Sequence, residues 1–62
     1  MRWYKGIRIR NLGSTLTIDW WSFKHSELRP VHHINYPVDY KTIEQGYKIA
    51  MDWIDKKLTE EG

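Results

Sequence analysis

The chain has no cysteine, two prolines and no apolar run longer than a few residues, and each shortage removes a class of protein. Without thiols there is no disulfide framework and no thiolate zinc site, and nothing ties the chain to an oxidising compartment, so a cytoplasmic location is expected. No stretch approaches the ~20 apolar residues of a membrane span. The opening Met1-Arg2-Trp3-Tyr4-Lys5-Gly6 also lacks the apolar core of a secretion signal. Neither a membrane association nor a signal is therefore expected. Length is scarce too: a chain of 62 residues buries only about 60% of the surface its unfolded form exposes. One domain over 1–62 with one small core is the expectation, with no cofactor and no room for a cofactor crevice. Net charge is small, ten Lys/Arg against eight Asp/Glu, or +2.

What the chain does have is nine aromatics, four of them Trp, arranged on two periodicities. Over 3–10, Trp3, Ile7 and Ile9 share one parity and Arg2, Tyr4, Arg8 and Arg10 the other. A strand sends alternate side chains to opposite faces, so this spacing predicts a first strand with Trp3 inward and a cationic outer side. Asn11-Leu12-Gly13-Ser14 supplies the residues of a hairpin turn. A second strand over 15–23 follows, with Leu16, Ile18 and Trp20 inward and Thr15, Thr17, Asp19 and Trp21 outward; its β-branched and aromatic content favours a pleated surface. Ser22 to Pro30 reads as a polar connection and a looser hairpin loop than the first, with Pro30 at or before the start of the next strand because it lacks an N–H for the ladder. A third strand is predicted over 31–36, ended by Pro37.

Thr42-Ile43-Glu44-Gln45 is a capping box, in which the Thr hydroxyl and the Gln side chain close the open N–H groups of a helix start. From there the 3.6-residue period places Ile43, Tyr47, Ala50, Ile54 and Leu58 on one stripe. Glu44, Lys48, Asp52 and Lys56 alternate in sign down the opposite, solvated side. The predicted fold is α+β: a three-stranded antiparallel sheet packed on one C-terminal helix over 43–58.

Dividing the charge at Tyr36 shows more than the total does. Residues 1–36 hold six cations against two acids, or +4, and residues 37–62 hold four against six, or −2. The sheet is basic and the helix acidic. With the helix on one face, the other face would display Arg2, Tyr4, Arg8, Arg10, Thr17 and Trp21, with His33 from the third strand. Guanidiniums interleaved with aromatics and hydroxyls suit phosphates and bases. Trp53 and Ile49 lie on one flank of the helix stripe, where they either close the sheet edge or offer a partner surface. His32 and His33 are adjacent on a strand, point to opposite faces and cannot easily share an ion, so no metal site is expected. No nucleophile motif, converging carboxylate pair or Gly-rich phosphate loop is present, and the chain reads as a binding module rather than an enzyme.

Tyr4-Lys5-Gly6-Ile7-Arg8-Ile9-Arg10 resembles the opening of ethylene-response-factor-type DNA-binding domains: aromatic, basic residue, Gly, aliphatic, Arg, any residue, Arg. Gly13 falls where that family's first turn carries a glycine, and Thr42-Ile43-Glu44 is similar to its helix start. The family's Trp-Gly-Lys-Trp-like turn is replaced here by Leu12-Gly13-Ser14-Thr15. Like the arm-binding domains of tyrosine integrases, the family folds as a three-stranded sheet backed by a helix and lays the sheet in the major groove. The resemblance implies DNA contact by Arg8 and Arg10. The expected partner is nucleic acid, duplex DNA before RNA, with a protein partner as the alternative and homodimerisation through a strand edge or the Trp53 flank open.

Overall fold

The alternation of the first segment is interrupted at Lys5-Gly6, and the backbone reverses there. Lys5 and Gly6 both take positive φ, 51° and 80°, the conformation of a two-residue type I′ turn whose twist matches its flanking strands. In the computed structural model, which describes residues 1–61, β1 (Arg2–Tyr4) folds back on β2 (Ile7–Asn11) and pairs Tyr4 with Ile7, Trp3 with Arg8 and Arg2 with Ile9. The strand expected over 3–10 is thus a hairpin. The antiparallel sheet has four strands in the order β1-β2-β3-β4 rather than three.

This reversal exchanges faces. Residues directly opposite each other in a ladder share a side of the sheet. Arg2 and Tyr4 therefore lie with Ile9 and Ile7 on the helix side, whereas Trp3 lies beside Arg8 on the other, 56% exposed. The sequence expectation had these three residues the other way round.

At the next turn Gly13 takes φ 90°, Leu12 N–H bonds Thr15 O at 2.8 Å and the Asn11 side chain accepts from Gly13 N–H at 3.0 Å. β3 (Thr15–Ser22) then runs antiparallel to β2 and to β4 (Glu27–Asn35). β4 begins four residues before the expected 31 and stops before Tyr36. It passes through Pro30, which an edge strand tolerates because one side of its ladder is unpaired. Opposite Pro30 the register shifts at Ile18/Asp19 and Val31 takes no partner, a bulge that adds local twist.

The chain crosses to the helix through Tyr36–Thr42. Asp39 holds the crossing: its N–H bonds Asn35 O at 2.7 Å and its carboxylate accepts from Asn35 N–H at 2.8 Å. The capping box forms as expected. Thr42 Oγ1 accepts from Gln45 N–H at 3.2 Å, and Gln45 Oε1 accepts from Thr42 N–H at 3.2 Å and Lys41 N–H at 3.0 Å. α1 spans Ile43–Glu61.

The core lies between α1 and one face of the sheet: Ile7, Ile9, Leu16, Ile18 and Ile34 meet Ala50, Ile54 and Tyr40. Full burial of one such aliphatic side chain contributes about 1.5–3 kcal/mol. Ala50 and Ile54 occupy the centre of the predicted stripe and Tyr47 is half-buried. Ile43 and Leu58, at its two ends, remain 42% and 37% exposed. Gly46 sets how closely the helix approaches, since a Cβ there would stand 2.7 Å from Leu16 Cδ1 and 3.1 Å from Tyr40 Cδ2. On the far side of α1, Lys48 and Asp52 form an exposed i,i+4 pair at 3.5 Å, which adds a few tenths of a kcal/mol.

Candidate nucleic-acid interface

Among the described residues no helix covers the second face of the sheet, and the register assembles its surface in cross-strand rows. Trp3, Arg8, Asp19 and Pro30 form one row; Arg10, Thr17 and His33 form the next; Thr15 and Asn35 form a third. Beyond the first row Trp21 pairs with Leu28.

Asp19 organises the centre. It was expected to be an exposed acid, but its carboxylate is fully buried beneath the arginines on either side. Arg8 donates through Nε to Oδ2 at 2.9 Å. Arg10 donates through Nε to Oδ2 at 2.5 Å and through Nη2 to Oδ1 at 3.0 Å, a bidentate pair. A buried charge persists when it is paired and hydrogen-bonded, and these three bonds meet that condition. Charge-assisted pairs of this kind also fix a long side chain in one rotamer. The Arg8 and Arg10 side chains stay 25% and 33% exposed. The terminal nitrogens of Arg8 take no part in its bond to Asp19, nor does Nη1 of Arg10. Two guanidiniums are thereby held in place with donors to spare, at a net charge of +1 for the triad.

Around the triad the remaining expected residues divide. Thr17 is on this face but fully buried, its hydroxyl 3.1 Å from Nδ1 of the exposed His33; it supports His33 and offers no surface. Trp21 is displayed as expected, 48% exposed, with its ring edge-on to Phe23 at 6.4 Å. Trp3, assigned to the core from parity, joins it on this face.

Arg2 and Tyr4 leave the interface altogether. The Arg2 guanidinium sits 4.2 Å from the centre of the Tyr47 ring. The Tyr4 hydroxyl donates to Asp55 at 2.9 Å, and Lys5 Nζ bonds the same carboxylate at 2.6 Å, tying the first hairpin to the helix. The hydrogen bond from Lys5, then that from Tyr4, lowers the Asp55 pKa below the ordinary carboxylate value. The same bond to Asp55 raises that of Lys5.

On the helix flank Trp53 is half-buried against the core. Its ring stacks on His32 at 4.7 Å, nearly coplanar at 6°, and meets Trp20 edge-to-face at 6.2 Å, while Ile49 is 37% exposed. His32 and His33 point to opposite faces, as the strand period requires. Among the described residues no three His, Cys, Asp or Glu side chains come together as a metal-binding group, and no helix is long and apolar enough to cross a membrane.

Two residues of this face, Asp19 as anchor and Trp3 as surface, escaped sequence reasoning. A signal existed for the first: once the turn is centred on Gly13-Ser14, antiparallel counting sets Arg8 opposite Asp19. Compared with known protein families, curated proteins and solved structures, the chain matches none.

Proposed function

We propose that the protein is a non-enzymatic binding module that engages nucleic acid, duplex DNA in the first instance, with the uncovered face of its sheet. The observation that carries this reading is the pair Arg8 and Arg10, anchored on buried Asp19 yet partly exposed, with nitrogens left free of that carboxylate, and flanked by exposed Trp3 and Trp21. Anchored guanidinium forks match phosphate oxygens and the O6/N7 edge of guanine. Neighbouring strands lie about 4.8 Å apart, so the arginine-bearing β2 and its neighbours β1 and β3 span about 10 Å of the four-stranded face, and that portion is narrower than a major groove of about 12 Å. Trp3 and Trp21 supply flat apolar contacts on either side.

Asp19 limits the charge available, and with Arg2 turned toward the helix two cations remain rather than three. Contact with two phosphates corresponds to a slope of about −1.8 in log K against log salt, so binding is modest and strongest at low salt.

Trp3, Trp21 and Phe23, the last 89% exposed, favour a second reading, a protein partner on the same face, since aromatic side chains dominate such contacts. A tryptophan-fluorescence titration with a mixed-sequence duplex at low salt separates the two. Saturable quenching, together with binding of a dye-labelled duplex that W3E/W21E abolishes while the circular dichroism of that variant stays unchanged, supports nucleic acid. No response at low salt sinks the nucleic-acid reading and leaves the protein one.

A further inference from the structure

A groove of about 570 Å³ opens between the C-terminal half of α1 and the Trp20–Ser22 and Arg29–Val31 segments of β3 and β4. Its size lies within the range of small-ligand sites. Its walls are aromatic, from Trp20, Trp21 and Trp53, and its rim carries Arg29, His25 and Lys57. Among the described residues no carboxylate lines it. The acids nearest the two cations stand outside as their partners, Glu27 to Arg29 at 3.2 Å and Glu60 to Lys57 at 3.8 Å. These pairs are exposed, and pairs of that kind hold their members weakly, so both cations can turn to another anion.

The aromatic wall is fixed. His32 packs flat on Trp53, Trp20 abuts it edge-on, and Lys57 Nζ stands 5.7 Å from the ring centre. A planar, electron-poor group beside a phosphate is the ligand such a wall and rim accept: the ring stacks on tryptophan and the anion meets Arg29 and Lys57. The groove is also continuous with the outer face, because Trp21 belongs to both.

We infer that this groove receives an unpaired base together with its phosphate, as the single-stranded continuation of nucleic acid bound on the outer face. The inference rests on the nucleic-acid reading above for the path of the strand, but the groove's own chemistry is separate from the Asp19 triad. A free nucleoside phosphate has the same base and anion and is the competing source.

The experiment measures binding of the full chain by tryptophan fluorescence to a blunt duplex, to the same duplex with a three-thymidine overhang, to a ten-thymidine oligonucleotide and to adenosine monophosphate. Stacking contributes enough per base that the overhang is expected to tighten binding at least about fivefold. R29A/K57A, which alters two exposed side chains, is expected to remove that gain and leave blunt-duplex binding unchanged. An overhang that adds nothing, or a gain that survives R29A/K57A, overturns the inference. Adenosine monophosphate binding as tightly as the overhang assigns the groove to free nucleotides and likewise overturns the strand as its source. If the blunt duplex fails to bind while the thymidine oligonucleotide binds and loses affinity in R29A/K57A, the groove stands and the outer-face reading falls.

Discussion

Replacing Asp19 by Asn removes the one negative charge between two guanidiniums while keeping the shape of the side chain. Asn turns part of an acceptor into a donor aimed at Arg8 and Arg10, and both arginines lose their counter-charge at a site with no solvent access to residue 19. Breaking one side of a fully buried ion pair costs about 3–5 kcal/mol. Here Arg8 and Arg10 retain 25% and 33% side-chain exposure and recover some hydration, which brings the expected loss to about 2–4 kcal/mol. A domain of this size has about 3–9 kcal/mol in total, and 1 kcal/mol moves its melting temperature by about 4–8 °C. Thermal and urea melts followed by circular dichroism should show D19N at least about 8 °C below the parent, close to unfolding. Replacing the whole triad with apolar residues, R8M/D19L/R10M, removes the buried charge with its partners and should return stability to within about 1 kcal/mol of the parent. A loss under about 0.5 kcal/mol in D19N would refute Asp19 as the anchor of this face. The same reasoning makes R8A/R10A a poor binding probe, because it strands the buried carboxylate; W3E/W21E leaves the triad intact.

Other expectations concern the helix side. Gly46→Ala gains about 1 kcal/mol of helix propensity but forces Leu16 and Tyr40 to move from contacts of 2.7 and 3.1 Å, at about 1–3 kcal/mol; urea melts should show a net loss, and net stabilisation would mean that the close approach is loose. Asp55→Asn tests the tie to Tyr4 and Lys5. The folded pKa of Asp55 is lowered, so its contribution is present above the ordinary carboxylate value and disappears as pH falls through the depressed one. That of Lys5 is raised, so its contribution is present below the ordinary lysine value and lost as pH rises past the elevated one. The melting-temperature difference between parent and D55N should therefore be constant near neutrality and vanish in acid, and a difference that persists in acid would contradict the tie. Tyr40→Phe deletes a buried hydroxyl that has no hydrogen-bond partner among the described residues, and melts should show it neutral or stabilising because that group's desolvation is uncompensated.

Much of this architecture follows from local chemistry that one sequence exposes. The capping box at Thr42, the glycine turn at Gly13 and the β-branched run of β3 each depend on neighbours a few residues away, and each forms where expected. The first hairpin was hidden for a physical reason. Its turn is Lys-Gly, not the Asn-Gly or Asp-Gly that announces a type I′ turn, and Trp3 to Arg10 alternates well enough to pass for one strand. Missing it reversed the faces of Arg2, Trp3 and Tyr4, since partners opposite each other share a face whereas the period within a strand alternates them. Asp19 and Tyr40 were hidden because burial of a polar residue is decided by partners remote in sequence. Asp19 lies under arginines nine and eleven residues away, and Tyr40 packs beneath Gly46, whose missing side chain makes the space. The arginine-rich outer face was legible as charge on alternate positions; that it is half neutralised was not.

The central claim is that Arg8 and Arg10, carried on Asp19, meet phosphates at the uncovered face of the sheet. It is tested most directly by the salt dependence of duplex binding, measured by tryptophan fluorescence at several monovalent salt concentrations. A slope of log K against log salt near −1.8, from roughly −0.9 per phosphate, is the result expected for two arginines. A slope near zero, or no binding at the lowest salt, would contradict it.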